Sequence, residues 1–178
     1  MPENLEWKAR LPDWDAALRA AERVATAGPE QQRQIDTYFR AARGRLKLRQ
    51  IQTAAGESAE LIFYERSDDR ETKSSLYVRQ PLPDATSWLT MLTAALGSWA
   101  VVTKRRTIYW HQNVRMHLDQ VEGLGNFLEF EAVLAAESDR AVSAALVQNL
   151  IRNFELTEQQ GIAGSYSDFI ADHVSPAS

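Results

Sequence analysis

Gly44-Arg45-Leu46-Lys47-Leu48-Arg49 is the stretch on which the fold turns. In an extended chain successive side chains face opposite ways, so Arg45, Lys47 and Arg49 share one face and Leu46 and Leu48 the other. A strand with one charged face is ordinarily half-buried, with its other side in water. A plain solvated face mixes Lys, Glu, Thr, Ser and Gln, whereas this row is wholly basic. Like charges on one strand face repel unless something neutralises them. The acidic counterpart is Phe127-Leu128-Glu129-Phe130-Glu131, where Glu129 and Glu131 oppose Leu128, Phe130 and Ala132.

The same alternation recurs outward from these two stretches. Glu6, Lys8 and Arg10 oppose Leu5, Trp7, Ala9 and Leu11. Asp36 and Tyr38 alternate with Ile35 and Phe39, and Tyr64 and Arg66 oppose Leu61 and Phe63. Lys104 and Arg106 follow, then Arg115, His117 and Asp119 opposite Val114, Met116 and Leu118. Gly44 and the Gly123–Gly125 stretch read as hairpin turns. Seven strands with charges grouped by sign imply a closed or strongly curved antiparallel sheet with a polar interior. Seven or eight strands suffice for a small barrel. A polyanion suits the basic rows and a divalent cation the acidic pair. Relieving repulsion within either row should leave the empty protein's folding intact.

Three helices are expected to cover the apolar outer face. Asp13 caps one running to about Thr26, with Trp14, Ala17, Leu18 and Ala21 as its stripe and Gly28-Pro29 as a stop. Asp84 caps a second carrying Trp88, Met91, Leu92 and Ala95, ended near Gly97. Ser138 caps a third carrying Val142, Ala145, Leu146 and Leu150. A short fourth starts at Ser165, where Asp168 completes a capping-box pattern. The fold class is therefore α+β: an eight-stranded antiparallel barrel with helices packed outside, a single domain over residues 1–178.

Composition agrees. The 178 residues are 44% hydrophobic and 25% charged, with no Cys. Disulfides, thiolate metal sites and cysteine nucleophiles are excluded. The net charge of −4 gives no general attraction to nucleic acid. No apolar run approaches the ~20 residues of a membrane helix. Met1-Pro2-Glu3-Asn4 lacks the basic and apolar regions of a signal peptide, so a cytoplasmic protein is expected. A homodimer is compatible with all of this.

The polar face supplies the chemistry. Carboxylates without thiols suit a hard cation, Mg2+ or Mn2+, and Glu6, Asp119, Glu129 and Glu131 are the candidate ligands. Lys8, Arg45, Lys47, Arg49, Arg66, Lys104, Arg106 and Arg115 are candidate phosphate contacts, Arg as a bidentate fork and Lys as a point charge. One phosphate needs two or three of them, so eight imply several phosphates in a row. No Walker loop and no Gly-x-Ser-x-Gly elbow is present. Gly123-Leu124-Gly125 lacks the strand–Gly–helix context of a dinucleotide fingerprint. His111, His117 and His173 lack zinc spacing, although His117 shares the polar face. The five Trp residues read as core.

These motifs, in this order, resemble the CYTH superfamily of triphosphate tunnel metalloenzymes. The resemblance spans about Asn4 to Phe169. Asn4-Leu5-Glu6-Trp7-Lys8 stands where the family has Glu-x-Glu-x-Lys, and Gln34 to Phe39 resembles its second strand. Residues 44–49 match the basic third strand, and Val102-Thr103-Lys104-Arg105-Arg106 with Tyr109 matches the Val-x-Lys-x-Arg segment. Arg115 to Asp119 and Phe127 to Glu131 match the closing hairpin. The resemblance implies an eight-stranded tunnel that binds triphosphate and divalent metal, with Glu6 and Lys8 in catalytic positions. Asn4 replaces the first family Glu, making one metal contact neutral, and Tyr64 replaces a family Lys that Arg66 partly compensates. Three functions follow. The leading one is a metal-dependent phosphohydrolase acting on tripolyphosphate or an organic triphosphate. The second is a class IV adenylate cyclase, and the third a non-catalytic polyphosphate or nucleotide sensor. No segment reads as an adenine pocket, which favours hydrolysis.

Overall fold

The computed structural model describes residues 3–66, 73–134 and 140–174. Among these are eight strands: β1 (Glu3–Arg10), β2 (Ala27–Phe39), β3 (Arg45–Thr53), β4 (Gly56–Arg66), β5 (Lys73–Leu82), β6 (Ser98–His111), β7 (Val114–Val121) and β8 (Gly125–Leu134). The helices are α1 (Trp14–Val24), α2 (Ala85–Leu96), α3 (Arg140–Asn153) and α4 (Tyr166–Val174).

All strand pairs are antiparallel, in the order β1-β5-β4-β3-β2-β6-β7-β8, and β8 returns to β1. The two sides of β1 differ. Eight residue pairs join it to β8, from Glu3–Leu134 to Arg10–Phe127. Among the described residues four join it to β5, from Glu3–Leu76 to Glu6–Lys73. The sheet is a strongly curled, barrel-like wall, β1 pairing with β8 on one side and with β5 on the other, rather than an evenly closed barrel.

The alternation in each strand decides what lies outside. Leu5, Trp7, Ala9, Val114, Met116, Leu118, Leu128, Phe130 and Ala132 are buried in one core beneath α1 and α3. Trp7 stacks on Phe130 with centroids 5.8 Å apart, and Phe154 meets Phe130 edge-on at 5.3 Å. A second outer core joins Phe39, Leu46, Leu48 and Leu61 to Trp88, Leu89 and Leu92 of α2. Asp13 and Asp84 start α1 and α2 by accepting hydrogen bonds from the amides of Ala16 and Ser87.

Several expectations need correction. β2 begins at Ala27, so Gly28-Pro29 does not separate helix from strand. The register against β6 shifts between Ala27 and Glu30, where a proline without an amide hydrogen is tolerated. β5 carries no legible strand signal in the sequence, because it shows no clean alternation and Val78 on it is half exposed. Of the expected α3 stripe Leu150 is buried and Leu146 packs against the core, but Val142 is 71% exposed, and Ser143, Val147 and Ile151 complete the buried face. Ser143 is buried with its hydroxyl satisfied, accepting from Asn113 Nδ2 at 2.9 Å. Met91 of α2 likewise faces outward. Ser138 lies outside the described residues.

The fourth helix is not an outer cover. Tyr166, Phe169 and Ile170 of α4 pack with Tyr38, Ile62, Tyr64, Ala100, Val102, Val121 and Phe127. Tyr38, Ile62, Tyr64 and Tyr166 also line the central cavity. An aromatic plug therefore stands at one end of the interior.

Candidate functional site

The cavity encloses about 190 Å3 and is lined from all eight strands and α4. Pairing sets its rows. Across β1, β8 and β7, Glu6 lies opposite Glu131, and Glu131 opposite Arg115. One rung along, Lys8 lies opposite Glu129, and Glu129 opposite His117.

The acidic pair is already neutralised from within. Glu129 lies 3.4 Å from Lys8 Nζ and 2.9 Å from Arg106 Nη2. Glu131 accepts from Asn4 Nδ2 at 2.5 Å and lies 3.5 Å from Arg115 Nε. His117 sits between the two carboxylates, 3.5 Å from Glu129 and 3.7 Å from Glu131. Burial and the Arg106 charge push the His117 pKa down. Burial would raise the Glu129 carboxyl, but Lys8, His117 and Arg106 hold it well below its usual range.

The basic rows are neutralised as well, by two buried aspartates. Asp36 accepts Arg49 Nε and Nη2, each at 2.7 Å, and Lys47 Nζ at 2.8 Å. Asp119 accepts Arg106 Nε and Nη2, each at 2.6 Å, Lys104 Nζ at 3.2 Å and the Tyr166 hydroxyl at 2.9 Å. Each aspartate thus fixes one Arg fork and one Lys. Burial alone would raise both carboxyl pKa values, but the neighbouring cations lower them strongly. Lys104 is pushed down to about 7 by burial and by the charge of Arg106, more than Asp119 can offset.

Aromatic rings hold the lysines from the other side. Lys8 and Lys104 lie 4.2 and 5.0 Å from the centre of the Tyr166 ring. Lys47 lies 5.3 Å from the Tyr38 ring and 5.6 Å from that of Tyr64. Such cation–π contacts favour the charged ammonium.

The predicted residues fall as follows. Glu6, Lys8, Lys47, Arg49, Lys104, Arg106, Arg115, Glu129 and Glu131 all line the cavity. Asp119 is fully buried behind its cations. Arg45 turns to α4, where it donates to Ser165 and, at 2.7 Å, to Asp168. Arg66 ends β4, and its side chain lies outside the described residues. Asp36, Gln34, Tyr166, Glu60 and Arg79 join the site without having been read as candidates. Asp36 was legible in principle, since the strand pairing sets it opposite Arg49. Tyr166 carried no signal, because it arrives from a helix distant in sequence.

The donor set suits a hard cation: Glu6, Glu129 and Glu131 are oxygen ligands, and the buried Asn4 Oδ1 beside them has no hydrogen-bond partner. Among the described residues, no three His, Asp or Glu already converge into a ready-made metal centre. A cation there would compete with Lys8, Arg106 and Arg115 for the carboxylates. Among the described residues, no helix is long and apolar enough to cross a membrane.

The curled sheet thus carries on its inner face a set of clamped cations beside a carboxylate pair. The CYTH domain model matches residues 3–166, and the chain belongs to that family. A protein from Pyrococcus horikoshii has the same fold, with a TM-score of 0.81, 17% identity and coverage of 96% of this chain and 99% of that one. A candidate adenylate cyclase from Vibrio parahaemolyticus superposes with a TM-score of 0.76 at 22% identity, covering 94% and 97%. A Hippeastrum protein described as a candidate adenylyl cyclase with a dominant triphosphatase activity gives 0.62 at 12% identity, covering 97% and 95%. Comparison with curated protein sequences finds no match.

Proposed function

We propose that the protein is a divalent-metal-dependent phosphohydrolase acting on a triphosphate. One observation carries this reading: two Arg–Lys pairs, each clamped by a buried Asp, face the same cavity as a Glu pair. Preorganised cations stabilise charge on a phosphoryl chain without having to reorganise during reaction. The Arg49 and Arg106 forks have their orientations fixed by Asp36 and Asp119, so both would grip phosphate oxygens in a defined pose. This favours a positioning role for Asp119 over its expected role as a metal ligand.

Glu6, Glu129 and Glu131, with Asn4 Oδ1, would hold Mg2+ or Mn2+. The cation supplies Lewis-acid neutralisation of phosphoryl oxygens and a more acidic water. Arg106 bridges Asp119 and Glu129 and so links the phosphate-gripping row to the carboxylates. Lys8, held between Glu129 and Tyr166, is placed to follow charge as it develops. His117, its basicity lowered, would carry one N–H when neutral and so serve one of the two carboxylates it lies between rather than adding charge. The test is a product assay on purified protein with each metal, offering tripolyphosphate, thiamine triphosphate and ATP. Orthophosphate release dependent on metal is expected. Cyclic AMP with pyrophosphate would identify a cyclase instead, and tight binding without turnover would identify a sensor.

A further inference from the structure

One part of the tunnel wall has no use for a phosphate. Along the inner face of β2, Gln34 Nε2 donates to Gln32 Oε1 at 2.5 Å, and Gln32 Nε2 donates to Glu30 at 2.5 Å. An amide's two ends are ordinarily assigned from its partners. Here a carboxylate, which when ionised can only accept, starts the row. It draws the Gln32 amino group toward Glu30, which leaves the Gln32 oxygen to take the Gln34 amino group. The row therefore ends on Gln34 Oε1, turned the one way the chain of bonds permits.

That terminal oxygen has no partner. Gln34 is 3% exposed, it lines the cavity, and its Oε1 makes no hydrogen bond. Its neighbour in register on β6 is Lys104, whose ammonium is turned to Asp119. On β3 its neighbour is Ile51, which also lines the cavity, as does Ile108 opposite Glu30. A buried acceptor with Ile51 on one side, and on the other a lysine turned away to Asp119, is unfavourable unless a donor reaches it. Fully ionised tripolyphosphate offers only acceptor oxygens, so in that form it cannot satisfy Gln34.

We infer that Gln34 is a specificity-determining residue, and that the ligand is an organic triphosphate whose non-phosphate part donates an N–H or O–H to Gln34 Oε1. This rests on the triphosphate reading and narrows it. Ile51 beside Gln34 and Ile108 further along the wall suit the face of a ring, and the fixed acceptor selects a ring or sugar carrying a donor. Recognition of this kind discriminates strongly, because an analogue lacking the donor leaves the buried acceptor unpaired.

The test is calorimetric titration of the intact protein with four probes. These are tripolyphosphate, ATP, purine riboside triphosphate, which lacks the exocyclic amine, and 2′,3′-dideoxy-ATP, which lacks the sugar hydroxyls. In the wild type, deleting one of the two donor sets should weaken binding at least about tenfold relative to ATP. The analogue that loses affinity identifies the donor. In Gln34→Leu, which keeps bulk and removes the acceptor, the same ratio should shrink below about threefold. Glu30→Gln lies at the exposed start of the row and lets the amides reverse, so its ratio should fall between the two. Thermal melting separates this from misfolding: Gln34→Leu removes an unpaired buried acceptor along with one hydrogen bond to the half-buried Gln32, two changes that offset each other, so it should keep a cooperative melt close to that of the wild type. Tripolyphosphate bound with wild-type ratios near one, or a ratio unchanged in Gln34→Leu, overturns the inference and leaves the triphosphate reading standing. Failure to bind tripolyphosphate and ATP alike overturns both.

Discussion

Glu129 and Glu131 were expected to repel one another and to be dispensable for folding. The structure reverses the second expectation, because Lys8, Arg106 and Arg115 already oppose them. Replacing both by Gln should lower metal-dependent turnover by about a hundredfold or more, the scale of losing a key electrostatic group. It should also lower the denaturation midpoint of the empty protein, since removing one partner leaves buried charge uncompensated. Steady-state rates at saturating metal and urea denaturation measure the two effects, and near-wild-type turnover would remove the pair from the site. Lys104 makes a separate prediction about pH. Its folded pKa of about 7 lies below the ordinary lysine value of about 10.4. Between those values the unfolded chain binds more protons than the folded one, so stability rises with pH across that window. Urea midpoints from pH 7 to 10 should climb in the wild type and lose this slope in Lys104→Met. A triphosphate restores the charge on Lys104, so binding above pH 7 should take up protons, measurable as a buffer-dependent heat.

At the scale of elements, neighbouring residues on β3 should behave as opposites. Leu48 is fully buried beneath α2, so Leu48→Asp should cost about 3 kcal/mol or more in folding. Lys47 faces inward. Its conversion to Glu would set a carboxylate against Asp36 rather than relieve the basic row. Lys47→Met is the cleaner variant, because Arg49 still holds Asp36 with two hydrogen bonds. It should remain folded and bind tripolyphosphate about tenfold more weakly, the effect of one charge-assisted contact. Denaturation and titration of both variants decide the matter, and a stable Leu48→Asp would mean that the sheet is inside out. Strand faces were legible because period-two alternation in β1, β3, β7 and β8 is strict and decides burial directly. What the sequence hid depends on shape. Arg45 belongs to the same row as Lys47 and Arg49, yet it lies at the end of β3 that α4 covers, so it binds Asp168. β5 hid because Tyr77 and Arg79 face the cavity while Val78 faces water, leaving no apolar side to read.

At the scale of the molecule, the number of clamped cations should set the preferred length of phosphate chain. Thermal shifts at equal free ligand should rank tripolyphosphate above pyrophosphate above orthophosphate, because stabilisation follows ligand concentration over affinity. Equal small shifts for all three would show that the cavity does not read chain length. The eight-pair contact between β1 and β8 has a consequence of another kind, in time. Asn4 meets Val133, so the wall cannot be joined until more than a hundred intervening residues have been made. Pairings this distant must pay for closing a long loop before any contact rewards it, which places refolding on the slow side, about milliseconds to seconds. During synthesis the first seven strands wait with a charged inner face toward water, and the last strand delivers the carboxylates that Lys8 and Arg106 will hold. A chain interrupted before β8 would keep Asp36 and Asp119 but leave Lys8, Arg106 and Arg115 without the β8 carboxylates, and should associate with any polyanion nearby rather than complete its fold.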